Sequence, residues 1–197
     1  MRSGPSVNAR VGFGLRRRVG HGKTKRVSDA PKMAFVALGG NLGDAAGTMR
    51  LAAAEIADWS RGPALGSSLW RTEPVDCPPG SPPFLNAVLG LQAKPGTTPE
   101  SLLAELLALE ARLGRTRSGL ANAPRVIDLD LIAFGTETSN TPMLVLPHPK
   151  SHERAFVLAP LAEIAPGLVL PGQQQTVAEL LAALGQAEVS KLDQRLH

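Results

Sequence analysis

The sequence predicts an α+β fold, a ferredoxin-like α/β sandwich with a mainly antiparallel sheet and helices packed on it, on three observations. Two segments of strand character, Leu65 to Arg71 and Phe84 to Gln92, flank one loop and read as a hairpin pair. Two amphipathic helices, at 45–59 and 98–113, are interleaved with strands. A strongly apolar segment, Val126 to Phe134, follows the second helix and reads as a central strand. At 197 residues the chain is long enough for one domain with a substantial core.

Charge divides the chain before any element does. Residues 1–32 hold nine of the 21 Lys/Arg and one of the 17 acidic residues, leaving a body with 12 basic and 16 acidic groups. The basic balance therefore belongs to the extension, and it carries no argument for nucleic-acid binding by the domain. That extension has neither apolar period and reads as disordered, so the domain is expected at 33–197. The single Cys77 cannot close an internal disulfide, and no apolar run approaches the roughly 18 residues of a membrane span. A cytoplasmic protein is expected.

From Ala34 the elements follow in order. Ala34–Leu38 is a short apolar strand, Gly39–Asp44 a turn, and Ala45–Trp59 a helix with Met49, Leu51, Ala52, Ile56 and Trp59 near helical spacing and Asp44 as N-cap. Between the next two strands, five of the eleven residues from Glu73 to Pro83 are Pro, which confines the segment to a loop. Pro99 opens the second helix, whose stripe is Leu102, Leu103, Leu106, Leu109 and Leu113, and Gly114 ends it. A polar loop, Arg115–Pro124, precedes the strand at Val126–Phe134. A shorter strand is expected near Met143–Leu146, and helices at His152–Ile164 and Thr176–Leu184.

The stretch Asp128-Leu129-Asp130-Leu131 carries the sharpest chemistry. On a strand, residues i and i+2 share a face, so the two carboxylates point together while Ile127, Leu129 and Leu131 enter the core. The pair is either the acidic outer face of a half-exposed strand or a seat for Mg²⁺, which relieves carboxylate repulsion and takes its remaining ligands from water or phosphate. Arg115, Arg117, Arg125, His148 and Arg154 flank it; singly they are ordinary surface charge, and together they resemble clamps on a polyphosphate. Phe84, Asn86 and Phe156 are either core residues with a satisfied amide or a slot in which two rings stack on a flat heterocycle and an amide reads its edge. Gly39-Gly40-Asn41-Leu42-Gly43-Asp44 lacks the spacing of a phosphate loop and reads as a tight strand-to-helix turn. Cys77 reads as an incidental thiol.

Together, Phe35–Asp44 (FVALGGNLGD), Trp70–Pro74 (WRTEP), Phe84–Ala87 (FLNA), Gly114–Arg117 (GRTR), Pro124–Leu131 (PRVIDLDL), Pro147–Pro149 (PHP) and Glu153–Leu158 (ERAFVL) resemble the 6-hydroxymethyl-7,8-dihydropterin pyrophosphokinases. The ordered matches span about residues 34 to 170. The resemblance implies an ATP-dependent diphosphotransferase of folate biosynthesis that moves the β,γ-diphosphate of ATP to the pterin hydroxymethyl oxygen and releases AMP. It implies Asp128 and Asp130 as ligands of two Mg²⁺ ions, and Arg115, Arg125, His148 and Arg154, with Arg117 alongside, on the polyphosphate. Glu110 and backbone groups near Leu131 would hold the nucleoside. Phe84 and Phe156 would sandwich the pterin, Thr72 and Asn86 would read its edge, and Val75 would line the pocket.

The family's two mobile loops fall on Glu73–Pro83 and Arg115–Pro124. Where the family pattern has Arg-Trp-Gly-Pro-Arg, this chain has Ala121-Asn122-Ala123-Pro124-Arg125, so the Trp that packs over the closed site is missing. Gly40 stands where Ser is common and Phe84 where Tyr is common, both reading as conservative. A monomer is expected, with neither membrane nor nucleic acid as partner. Two other readings compete: a ferredoxin-like nucleic-acid-binding module using the basic tail, and a catalytically inactive relative that binds pterin or nucleotide.

Overall fold

The computed structural model describes Met1 and residues 31–74, 77–116, 123–185 and 188–196. Apolar alternation makes β1 (Met33–Gly40) a two-faced strand: Ala34, Val36 and Leu38 enter one core and Phe35 the other. The Asp44 carboxylate accepts from the Gly47 amide at 2.9 Å and caps α1 (Ala45–Asp58). The chain then forms β2 (Leu65–Gly66), β3 (Ser68–Thr72) and β4 (Phe84–Gln92), followed by α2 (Pro99–Arg112), which a Thr98–Ser101 capping box opens. β5 (Asp128–Phe134) leads to a small hairpin of β6 (Ser139–Asn140) and β7 (Val145–Leu146). A 3-10 turn at Ser151–Glu153, α3 (Ala155–Ile164), α4 (Val177–Ala183) and β8 (Val189–Arg195) complete the chain.

The main sheet runs β5-β1-β4-β3-β8, with β2 also paired to β4, and every pairing is antiparallel. Met49, Ile56, Leu102, Leu106 and Leu109 of α1 and α2 bury one face against Val36, Leu38, Leu89 and Leu129. Val157, Leu158 and Leu161 of α3, with Val177 and Leu180 of α4, bury the other against Phe35, Val88, Ile132 and Ala133. This is the expected mixed sandwich, with helices on both faces of the sheet.

The structure corrects five details. The strand at 126–134 begins at Asp128 and, paired only to β1, lies at the sheet edge rather than its centre. The strand expected at 65–71 is interrupted at Ser67, whose hydroxyl accepts from the Val88 amide at 3.0 Å. The helix expected from His152 starts as the 3-10 turn and becomes α-helical only at Ala155. β8 was not anticipated: its Lys191, Asp193 and Arg195 suit a charged edge strand, which leaves little apolar signal. Nor is Gly40 merely conservative, because a Cβ there would meet the Val126 carbonyl oxygen at 2.6 Å.

Glu163, near the end of the apolar helix α3, fastens the second face. Its carboxylate accepts from the Ser68 amide (3.0 Å), the Ser68 hydroxyl (2.8 Å) and Trp70 Nε1 (3.2 Å), and pairs with Lys191 at 3.0 Å. Burial alone would raise its pKa, but the donors from Ser68, Lys191 and Trp70 outweigh it and hold the carboxyl below its ordinary value. A carboxylate depressed on folding stabilises the protein above its unfolded pKa, and this contribution is lost as pH falls through the lower folded value. We therefore expect Glu163→Ala to cost about 2 kcal/mol at pH 7. Urea unfolding followed from pH 7 downward should show the gap to wild type shrinking below about pH 4.5, the ordinary carboxyl value. A pH-independent gap would contradict the assignment.

Candidate active site

Edge placement gives β5 its chemical use. Leu129 and Leu131 are buried at 2% and 4% exposure in the α1/α2 core, so alternation turns Asp128 and Asp130 to the α3 face, where both are partly exposed. α2 ends close by, and its buried Glu110 accepts from the Leu129 amide (2.7 Å) and from Arg115 Nη1 (2.7 Å). The same Arg115 nitrogen donates to the Ile127 carbonyl at 3.2 Å and to Asp128 Oδ1. Arg125 Nη1 holds the other Asp128 oxygen at 2.5 Å. One carboxylate thus lies between two guanidinium groups.

The electrostatics follow from this crowding. Burial alone would lower the Arg115 pKa, but the hydrogen bond and charge of Asp128, with Glu110 and Asp130, carry it above its ordinary value. Burial, then the charge of Asp128, pushes the Asp130 carboxyl up against the pull of His148, Arg115 and Arg154. His148 is pushed down by burial, with Arg154 adding to the effect and the two aspartates opposing it. Asp128, Asp130, Arg115, His148 and Arg154 therefore share one field, with Arg125 bound to the same carboxylate.

Across the sheet the register sets a second cluster beside the first. Gly39 of β1 pairs with Asp128 on one side and with Asn86 on the other. These three positions form one row, and the middle one has no side chain. Asp128 and Asn86 thus stand two strand spacings apart, about 10 Å, over bare backbone. A Cβ at Gly39 would stand 3.3 Å from Asn86 Oδ1. Asn86 Nδ2 donates to Thr72 Oγ1 at 2.9 Å, and both residues are buried. The Arg125 guanidinium lies over the Phe84 ring (5.8 Å to its centroid), and Arg154 lies over Phe156 (5.4 Å). Both candidate stacking rings therefore contact arginines of the charged cluster.

Of the residues singled out in the sequence, Val75 and Arg117 lie outside the described residues, as does Asn122. The Leu131 side chain belongs to the core, and its backbone lies opposite Val36 in the β1–β5 ladder. Gly39 and Asn41 were read only as parts of a turn; a glycine inside a strand already signals close approach of a ligand or another chain segment. Nothing local announced Asn41, because its side-chain partners lie 41 and 84 residues away.

A carboxylate pair held by arginines thus stands at one edge of a mainly antiparallel sandwich, with Gly39 between it and Asn86. The family model for 7,8-dihydro-6-hydroxymethylpterin-pyrophosphokinase matches residues 35–166, and the chain belongs to that family. It is 38% identical over 161 residues to the 2-amino-4-hydroxy-6-hydroxymethyldihydropteridine pyrophosphokinase of Methylorubrum extorquens, covering 81% of this chain and 98% of that one. To the enzyme of the same name from Pseudomonas aeruginosa it is 39% identical over 151 residues, 76% of this chain and 90% of the relative. A crystal structure of Plasmodium falciparum HPPK-DHPS shares the fold, with a TM-score of 0.59 at 12% identity over 78% of this chain. The present chain spans 44% of that longer one.

Glu110 is the buried support of this site. Replacing it with Ala removes one of the two carboxylates that hold Arg115, 13% exposed, and orphans the Leu129 amide. A loss of about 3 kcal/mol in urea-unfolding stability is expected, and a loss under 1 kcal/mol would show that the support lies elsewhere.

Proposed function

We propose that this chain transfers the diphosphate of ATP to the hydroxymethyl group of 6-hydroxymethyl-7,8-dihydropterin, releasing AMP, as a step of folate biosynthesis. The observation that supports the site reading is the row Asp128–Gly39–Asn86, in which a carboxylate and an amide flank a position that has no side chain. In the reaction a bond forms between the hydroxymethyl oxygen and the β phosphorus. The bond from that phosphorus to the oxygen retained by AMP breaks, and the hydroxymethyl proton is lost.

Asp128 and Asp130 fit magnesium by donor chemistry: two hard oxygen donors on one strand face, one of them with its carboxyl pushed up by burial and by its neighbour's charge. Among the described residues no set of three or more His, Cys, Asp or Glu forms a metal centre. The remaining ligands would come from water and from nucleotide phosphate. Two ions are proposed, and when bound they neutralise polyphosphate charge.

The chain's own groups do the positioning. Arg115 and Arg125, which neutralise Asp128, are the groups that would turn to phosphate oxygens when a cation takes that carboxylate. His148 Nδ1 accepts from the Lys150 amide at 3.4 Å, which leaves Nε2 as the nitrogen that would turn to the polyphosphate beside Arg154. Arg117 would join this set. Glu110, the backbone near Leu131 and the end of α2 would border the nucleoside. Phe84 and Phe156 would take the pterin between them, Asn86 Oδ1 would accept from its edge, Thr72 would donate to it, and Val75 would line the slot.

A monomer is proposed. No helix of the described residues is long and apolar enough to cross a membrane. The reaction is placed in the cytoplasm, where ATP is supplied. Family membership disfavours the nucleic-acid module, and the presence of Arg115, Arg125, Asp128, Asp130, His148 and Arg154 speaks against an inactive relative, while Ala121 stands where the family pattern has Arg.

The test is AMP formation from Mg-ATP with and without the pterin. Pterin-dependent AMP is expected from the wild type, with Asp128→Ala and Asp130→Ala each lowering kcat at least about 1000-fold while remaining folded. ADP as product, or full turnover in either variant, would overturn the site. Arg125→Ala should lower kcat more than it raises either KM, as loss of a contact strongest in the transition state requires. A chain lacking residues 1–32 should keep wild-type kcat/KM; a tenfold loss would make the basic extension part of the enzyme.

A further inference from the structure

One buried side chain near the site is used by neither substrate in the reading above, yet it touches the supports of both. Asn41, 8% exposed at the turn between β1 and α1, uses both ends of its amide on distant segments. Its Oδ1 accepts from the Arg125 amide at 2.9 Å, and its Nδ2 donates to the Pro82 carbonyl at 3.0 Å. Its backbone amide and that of Leu42 both donate to the Arg125 carbonyl, at 2.9 and 3.2 Å. Arg125 is thus gripped at its own N–H and C=O by residues 41 and 42. Pro82 is held two residues before Phe84, the ring beneath the Arg125 guanidinium.

We infer that Asn41 is a positioning residue that couples the polyphosphate end of the site to the pterin end. The inference rests on the functional reading above and deepens it. Only a group with a donor and an acceptor about 2 Å apart can hold Pro82 and Arg125 together, and an amide is such a group. The backbone of Arg125 sets where its guanidinium starts, either on Asp128 or toward phosphate. The backbone of Pro82 sets where the strand carrying Phe84 and Asn86 begins. When a ligand orders one segment, the shared amide restrains the other, so less ordering is left for the second substrate. That is a coupling free energy between two sites.

Asn41→Asp separates the two contacts. One carboxylate oxygen still accepts from the Arg125 amide, while the other faces the Pro82 carbonyl with no proton to donate. The experiment is pterin binding by calorimetry, with and without Mg²⁺ and a non-hydrolysable ATP analogue, in the wild type and in Asn41→Asp. In the wild type the analogue should tighten pterin binding by about tenfold or more. In the variant this factor should fall below about threefold, with pterin KM rising and ATP KM holding within twofold, and with a lower thermal midpoint because a carboxylate then faces the Pro82 carbonyl. An unchanged coupling factor overturns the inference, as does equal weakening of both substrates together with a large fall in the thermal midpoint.

Should Asn41→Asp not fold, amide hydrogen exchange in the wild type decides. Pterin alone should slow exchange at the Arg125 amide, and no change there overturns the coupling. A wild type that makes pterin-dependent AMP without coupling its substrates also overturns this inference while sparing the function. A wild type with no pterin-dependent AMP removes the functional reading first.

Discussion

The charge of Asp128 is the constraint on which the site depends. Its carboxylate stands on an edge strand whose other face is core, and its two oxygens are taken by Arg115 and Arg125. Arg115 is itself held by Glu110, which also caps the Leu129 amide on the same strand. A partly buried ion-pair cluster of this kind contributes little stability relative to a packed apolar substitute, and breaking one side of it is costly. In the proposed reading, the arginines begin beside the carboxylates that would take a cation. A polyphosphate arriving with its metal could offer each group a partner of opposite sign, exchanging one neutralised arrangement for another.

The second requirement is geometric, and the sheet meets it through register. Pairing β1 with β4 and β5 places Gly39 between Asn86 and Asp128. A one-residue slip would turn both polar side chains into the α1/α2 core, so the apolar alternation that folds the sheet also fixes the site. Gly40, next in the chain, lets β1 pass close to the Val126 carbonyl and brings Asn41 to Arg125. The turn is built for close approach of chain segments rather than for phosphate.

Much of this was legible in the sequence for physical reasons. The i, i+2 rule put Asp128 and Asp130 on one face, the Leu stripe and Pro99 gave α2, and five prolines made Glu73–Pro83 a loop. The position of β5 was not legible. Leu129 and Leu131 face one helical layer, Ile132 and Ala133 face the other, and Ile132 gives its carbonyl to the His148 amide at 2.9 Å. An edge strand covered on both faces and partly along its rim has the composition of a central one. β8 failed the opposite way, its charges concealing a real strand. Glu163 and Asn41 act through contacts made only in the folded chain, and no local pattern specifies those.

The central claim is that Asp128 and Asp130 form a cation seat completed by nucleotide. It is tested most directly by electron paramagnetic resonance of Mn²⁺ bound to the protein together with a non-hydrolysable ATP analogue. The account predicts two bound ions per wild-type chain, and loss of protein-held Mn²⁺ from the Asp128→Ala, Asp130→Ala double variant while it remains folded. Equal Mn²⁺ binding by the double variant and the wild type would contradict it, and would place the metal on groups other than the β5 carboxylates.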